Sequence, residues 1–382
     1  MLNIFIQFLL LGLVSFGGPA AHIGYFRKTF VDKLQWVKPE EYGSYVALSQ
    51  FLPGPGSSQV GFAIGYHRGG IGGAIAAFVG FTLPSFLLLY FIAVTSQAWL
   101  EQSLFVGLIH GLKLLAVIVV ADAILTMYRQ FCLSWQSKII LLASTVVSLS
   151  FTGSITQIVL LLVAALVGAT VLQQAPSAEP VAKGRLNIMA LASFVLLVLG
   201  SLLLLTGSGL GRIFADFYQA GTLVFGGGHV VLPLLESSVS EAMSAERFLT
   251  GYALAQAVPG PMFTLAAFLG AELNPSSPFL GALVATLAIF LPGLLLLLGI
   301  LNRWRSLSQQ PRINGALIAI NACVVGFLVA AFYSPVATSA LLNWLDVVLV
   351  IGGFIWLQKF KPNILLLVLA AASVGMLLSY VG

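Results

Sequence analysis

Ala47-Leu48-Ser49-Gln50-Phe51-Leu52-Pro53-Gly54-Pro55 recurs late in the chain as Ala253-Leu254-Ala255-Gln256-Ala257-Val258-Pro259-Gly260-Pro261. Each copy interrupts an apolar run with a Pro-Gly-Pro turn, and neither stands alone. Upstream, Ser15-Phe16-Gly17-Gly18-Pro19 recurs as Val224-Phe225-Gly226-Gly227-Gly228; downstream, Leu83-Pro84 recurs as Leu291-Pro292. Glu40 falls opposite Glu246, and Gln50 opposite Gln256. Matches kept in this order mark an internal duplication.

The chain around these motifs is overwhelmingly apolar. Of 382 residues, 59% are hydrophobic and only 8% charged, and the mean hydropathy is +1.04. Soluble domains carry about 25% charged residues, so a soluble enzyme or a nucleic-acid-binding module is excluded. At about 20 residues per span, the length allows roughly ten crossings and no sizeable aqueous domain. The formal charge of +5 is scattered over short connections, which reads as membrane topology and not as affinity for nucleic acid. Cys132 and Cys323 are far apart and in apolar surroundings, so neither a disulfide framework nor a metal cluster is expected. No phosphate-binding loop occurs, no cofactor is implied, and the apolar N-terminal stretch lacks the marks of a cleaved signal.

Each half then reads as a Gly-broken first segment, a hairpin centred on Pro-Gly-Pro, and about four apolar helices. The expected spans are 70–96, 103–129, 138–151 and 155–172, then 277–301, 313–333, 342–357 and 362–380, with one extra stretch at 186–206. This divides the chain into a first repeat (1–172), a linker with a connecting helix (173–210) and a second repeat (211–382). Arg27, Lys28, Lys33 and Lys38, with Arg129, Lys138, Lys183 and Arg185, place their connections on the cytoplasmic side. In the second half Arg303, Arg305, Arg312, Lys359 and Lys361 ask for the same side, which requires that half to be turned over. The expected fold is therefore an all-α polytopic membrane protein of two inverted repeats with Gly/Pro-broken re-entrant half-helices.

Broken backbone at bilayer depth is tolerated only where protein buries it or a water-filled cavity receives it. Gly18-Pro19 and Gly54-Pro55 read as helix starts, whose first amides point back into the break. Each such start carries about half a positive charge, so four converging starts would offer about +2, a match for a divalent oxyanion. Gly17, Gly18, Gly54, Gly227, Gly228 and Gly260 would shape the breaks. After Pro55, Gly56 is followed by Ser57, Ser58 and Gln59, candidate donors to the anion, although the serines are equally good N-caps. The second half offers Met262, Phe263, Thr264 and Leu265 there, so the first half is expected to supply more of the site.

Lys113 stands in a long apolar run, where a charge at the centre of a span costs about 2.5–3.5 kcal/mol. It is a candidate ligand, or else a snorkelling residue or a partner of Asp122. His110 shares its helix face, and the repeat places Asn321 opposite it. Asp122 is a candidate proton carrier if burial raises its pKa, or else a structural partner to another helix. His22 and His229 follow the two Gly breaks and would donate to the anion, titrate, or simply pack. Arg27 and Lys28 are either an electropositive vestibule or topology anchors; Arg68 faces the same choice. Gln50 and Gln256 are placed to satisfy broken backbone.

Taken together, Ser15-Phe16-Gly17-Gly18-Pro19-Ala20-Ala21-His22, Trp36, Leu52-Pro53-Gly54-Pro55, Gly65 and Leu83-Pro84-Ser85, with Phe225-Gly226-Gly227-Gly228, Val258-Pro259-Gly260-Pro261 and Leu291-Pro292, resemble the chromate ion transporter family in its long, two-repeat form. The second half departs at Ala242 and Met243, opposite Trp36, and at Ala271, opposite Gly65. The resemblance implies a bacterial inner-membrane secondary transporter that exports chromate and confers chromate resistance. A site for chromate differs little in charge and shape from one for sulfate. The expected partners are therefore chromate or sulfate and the lipid bilayer, with a homodimer as a candidate assembly. An uncoupled anion channel and a membrane enzyme acting on lipid phosphate are the alternatives.

Overall fold

The computed structural model describes residues 1–95, 103–151, 153–173, 185–226, 228–308 and 310–381. Gly227 and Lys183 lie outside the described residues. Among those described, every regular element is helical.

The first half opens with α1 (Leu2–Val14), which stops at Ser15, and α2 (Gly18–Phe26), which runs into a π-helical turn, Arg27–Lys33. Then come α3 (Pro39–Phe51), α4 (Gly56–Thr95), α5 (Ser103–Phe131), α6 (Trp135–Ser150) and α7 (Ser154–Val171). α8 (Ile188–Leu204) connects the halves. The second half repeats the order with α9 (Gly209–Leu223), α10 (Val231–Val239), α11 (Ala245–Ala257), α12 (Leu265–Leu273) and α13 (Pro278–Ile300). It closes with the short α14 (Trp304–Ser308), α15 (Pro311–Ala331), a turn of helix at α16 (Thr338–Ala340), α17 (Trp344–Phe360) and α18 (Ile364–Val381). α1–α7 thus precede the connecting helix α8, and α9–α18 follow it.

α4 is not one straight rod. Gly69 and Gly70 leave helical geometry, and Gly70 takes φ +60, so the chain folds back on itself there. A Cβ added to Gly65 would lie 2.4 Å from the Gly73 carbonyl oxygen, a contact that only two antiparallel, glycine-faced arms can make. The second half builds the same hairpin from α12 and α13, with Gly270 against the Gly281 carbonyl at 2.3 Å. Gly270 therefore takes the role of Gly65, and the apparent departure at Ala271 is a shift of one residue. The arm starts with a 3-10 turn, Met262–Thr264, where the first half is α-helical from Gly56.

α1 and α3 have 13 residues each. At 1.5 Å per residue that is about 20 Å, short of the roughly 30 Å hydrocarbon core. The helices long and apolar enough to cross include Ser103–Phe131, Pro278–Ile300 and Pro311–Ala340. Their partners are exchanged between halves: α5 packs on α18 and α17, while α15 packs on α7 and α6. Small residues permit these crossings. Gly111 meets the Ala371 carbonyl and Gly107 the Gly375 carbonyl; Gly168 and Gly315 meet each other's carbonyls. One large apolar cluster runs through both halves, and a smaller one gathers Phe8, Phe26, Phe30 and Phe81 around α1 and α2. Leu162, Leu166, Leu196, Leu203, Ile351 and Leu369 face outward, the apolar surface of a multi-pass integral membrane protein.

Candidate functional site

The two Pro-Gly-Pro turns are each tied to the Gly break of the opposite half. Gly54 N–H donates to the Val224 carbonyl at 2.7 Å, and Gly260 N–H donates to the Ser15 carbonyl at 2.9 Å. Val224 and Ser15 are themselves repeat counterparts, so the two bonds are one interaction made twice. Both glycines hold left-handed backbone, φ +109 and +105, which an L side chain adopts only with strain. The third repeated motif packs onto the same turns. A Cβ on Gly54 would meet Gly293 Cα at 3.0 Å, and one on Gly260 would meet Ser85 Oγ at 2.8 Å.

This exchange brings helix starts together. α2 begins at Gly18 after Gly17, which has φ +102. Gly228 opens the 3-10 turn that leads into α10, and it lies against Pro19 and Met262. Met262 opens the 3-10 turn that leads into α12. Between them is a cavity of about 40 Å³, lined in part by Gly17, Gly18, His229, Gln256, Gly260 and Met262. The first amides of a helix lack intrahelical partners, so these starts present donors and partial positive charge to one small volume.

His229 is oriented at this cavity by two neighbours. The Gln256 amide donates to its Nδ1 at 3.4 Å and the Tyr252 hydroxyl reaches the same atom at 3.1 Å, which puts the ring proton of the neutral imidazole on Nε2. Gln256 thus orients a side chain instead of repairing backbone. In the first half that repair falls to Gln59, whose Nε2 donates to the Pro53 carbonyl at 2.7 Å and the Gly293 carbonyl at 3.2 Å; Gln50 is exposed.

His22 closes the first break from within. Its Nε2 donates to the Ser15 carbonyl at 3.1 Å, and Ser57 Oγ stands 3.1 Å from Nδ1. With the proton on Nε2, Ser57 is the donor to Nδ1. Ser57 and Gln59 donors are thus engaged inside the protein, whereas Ser58 Oγ, Gln59 Oε1, Ser15 Oγ and Asn321 Oδ1 are buried without a hydrogen-bond partner among the described residues. Gly54, Gly56, Ser57, Ser58 and Gln59 do not line the cavity; its described lining comes chiefly from the second half. Asn321 instead stands at the second break, where a Cβ on Gly226 would lie 3.1 Å from its Oδ1.

Lys113 is buried, and its Nζ pairs with Glu246 Oε1 at 3.2 Å. Its partner is thus Glu246 and not Asp122, which accepts from the Gln358 amide. From Glu246 to Gln256 along α11 is about 15 Å at 1.5 Å per residue, so the cavity and Lys113 are separate along that helix. Arg27 and Lys28 are exposed at the start of the π-helical turn. Arg68 lies over the Trp36 ring at 5.5 Å. Val119 and Ile364 at the cavity, Tyr252 against His229 and Asp346 beside His110 carry no motif and are not expected from sequence; Asp346 alone has a signal, as N3 of the Asn343 capping box.

Comparison with known proteins agrees with the duplication. The chromate transporter family model matches residues 2–169 and 211–376. A probable chromate transport protein of Synechococcus elongatus is 32% identical over 84% of this chain and 82% of its own. The chromate transport protein of Pseudomonas aeruginosa is 27% identical over 98% and 92%, and an uncharacterized transporter of Methanocaldococcus jannaschii is 28% identical over 99% and 94%. No solved structure matches the chain.

Proposed function

This chain belongs to the chromate transporter family, and from that premise we propose that it is a secondary active transporter exporting chromate across the inner membrane. The observation that carries this reading is the meeting of helix starts from both halves, Gly228 against Pro19 and Met262, around one cavity. Backbone amides and the His229 Nε2–H replace the hydration shell of a tetrahedral dianion there, without a full cationic charge that would hold it too long.

The cavity, about 40 Å³, lies beside turns and breaks that bond across the two halves, so loading asks the halves to part. A carrier that opens to one side at a time follows from this, with α5–α18 and α15–α7 as its rigid pairs. The test is exchange of labelled chromate in proteoliposomes. Internal unlabelled chromate should drive uptake of label against its own gradient, and sulfate should compete, since it shares charge and shape. Uptake that only dissipates the imposed gradient would assign an uncoupled channel.

A further inference from the structure

A second cavity lies at the end of α1 remote from the glycine breaks. It has a volume of about 400 Å³ and is lined in part by Asn3, Ile4 and Gln7 of α1, Leu34 and Trp36 after the π-helical turn, and Arg68 at the tip of the α4 hairpin. Asn3 is about 17 Å from Val14, where α1 ends before the first break, at 1.5 Å per residue. The two cavities are therefore separate.

This lining holds a cation and no carboxylate. Arg68 lies over the Trp36 ring at 5.5 Å, and among the described residues none of the ion pairs includes it. Stacking uses the face of a guanidinium and leaves its N–H edge for an acceptor. The second half closes the equivalent place from within. By the repeat, Arg212 and Asp216 fall opposite Asn3 and Gln7, and Glu241 falls opposite Gln35. Arg212 Nε donates to the Asp216 carboxylate at 2.8 Å, and Arg212 Nη2 is 3.9 Å from Glu241. Leu273, three residues after Gly270, stands where Arg68 follows Gly65. One half thus sets its arginine among two carboxylates of its own, while the other brings its arginine from the hairpin tip and has the neutral Asn3, Gln7 and Gln35 in those places. The missing anion has to come from outside the chain.

The surroundings say which anion fits. The adjoining turn adds Arg27, Lys28 and Lys33 against one acid, Asp32, and Lys38 precedes α3. A basic cluster with a tryptophan belongs at the headgroup level of a bilayer. From the cavity toward the break, α1 turns Leu2, Ile6, Leu10 and Leu13 outward, an apolar track for acyl chains. A free oxyanion would use only the polar part of the lining; Ile4, Leu34 and this track favour a ligand with hydrocarbon attached.

We propose that this cavity holds the phosphate of an anionic phospholipid from the leaflet that this end of the bundle faces. Arg68 is its charged donor, the Asn3 and Gln7 amides are further donors, and the acyl chains lie along α1. The lipid then ties α1, the turn and the hairpin tip together, as the Arg212 ion pairs do in the second half. The site stands independently of the transport reading above.

The test uses the full chain in detergent, with native mass spectrometry to count retained lipid and thermal unfolding as the second readout. Wild type should retain phosphatidylglycerol in preference to phosphatidylcholine and melt higher in its presence. Arg68→Gln should weaken phosphatidylglycerol binding about fivefold or more, the worth of one arginine at an anionic headgroup. Gln7→Asp, copying Asp216, should do the same by giving Arg68 a carboxylate of the chain, and it carries the test if Arg68→Gln does not fold. Lys28→Gln makes the same change of charge on the neighbouring turn and should stay within about twofold of wild type, because its field at the cavity is screened. Lack of preference in wild type, or undiminished binding by Arg68→Gln or Gln7→Asp, overturns the proposal. Equal loss in Lys28→Gln assigns the effect to diffuse surface charge and overturns it as well. Displacement of phosphatidylglycerol by millimolar inorganic phosphate or chromate assigns a free-oxyanion subsite and overturns the lipid assignment.

Discussion

Gly54 donates its amide to the carbonyl of Val224 across the interface between the halves, at 2.7 Å. Its counterpart, Gly260 to Ser15, is 2.9 Å long. The turn of each half is completed by the break of the other, so neither half forms its part of the site alone.

Alanine at the two turns should therefore hurt unequally. Left-handed backbone costs a non-glycine residue about 1–2 kcal/mol, and Gly54→Ala also meets backbone at Gly293, which cannot yield. Gly260→Ala meets the Ser85 hydroxyl, so Ser85→Gly, copying Gly293, should recover part of its loss. Thermal unfolding in detergent with chromate exchange would show this. Equal recovery of Gly54→Ala by Ser85→Gly would contradict the pairing.

Gln59→Leu copies Leu265 of the second half but strips hydrogen bonds from two buried carbonyls, Pro53 and Gly293. Each unsatisfied group costs about 1–3 kcal/mol. Melting should fall clearly below wild type, and well below that of Gln50→Leu at the exposed position.

Lys113 and Glu246 should respond asymmetrically. Glu246→Gln leaves a buried ammonium without its counter-charge, while Lys113→Gln leaves a carboxylate already in water. The first should destabilise by about 1–3 kcal/mol and the second by less, read as unfolding midpoints. The reverse order would mean that the ammonium has another partner.

Leucine at Gly111 or Gly168 should abolish the folded protein. A Cβ alone would lie 2.0 Å from the Ala371 oxygen and 2.2 Å from the Gly315 oxygen, so the α5–α18 and α15–α7 crossings cannot close. Size-exclusion profiles after extraction are the measurement.

Much of this architecture is legible in the chain because glycine and proline leave local marks. The Pro53-Gly54-Pro55 and Pro259-Gly260-Pro261 turns, the extra helix at 188–204 and the division into repeats follow from local backbone chemistry and apolar run length. Partner choice is not local. Gly107 and Gly375 announce that something approaches closely, but nothing in either stretch says that α5 takes its neighbour from the other half. For the same reason Lys113 could be singled out as costly without Glu246 being named. Ser57 and Gln59 read as ligands because their donors were counted without the His22 ring and the carbonyls that use them. Tyr252 and Asp346 sit in ordinary helical contexts, and only the packing brings them to His229 and His110.

The central claim is that the meeting helix starts hold the oxyanion. The most direct measurement is a structure of the full chain with chromate, using the chromium anomalous signal to place the ion. The account predicts density within hydrogen-bond distance of the amides beginning at Gly18, Gly228 and Met262, with His229 Nε2 turned toward it. Density at Lys113 with Glu246 displaced, or beside Arg68, with the glycine breaks still closed on each other, would contradict it.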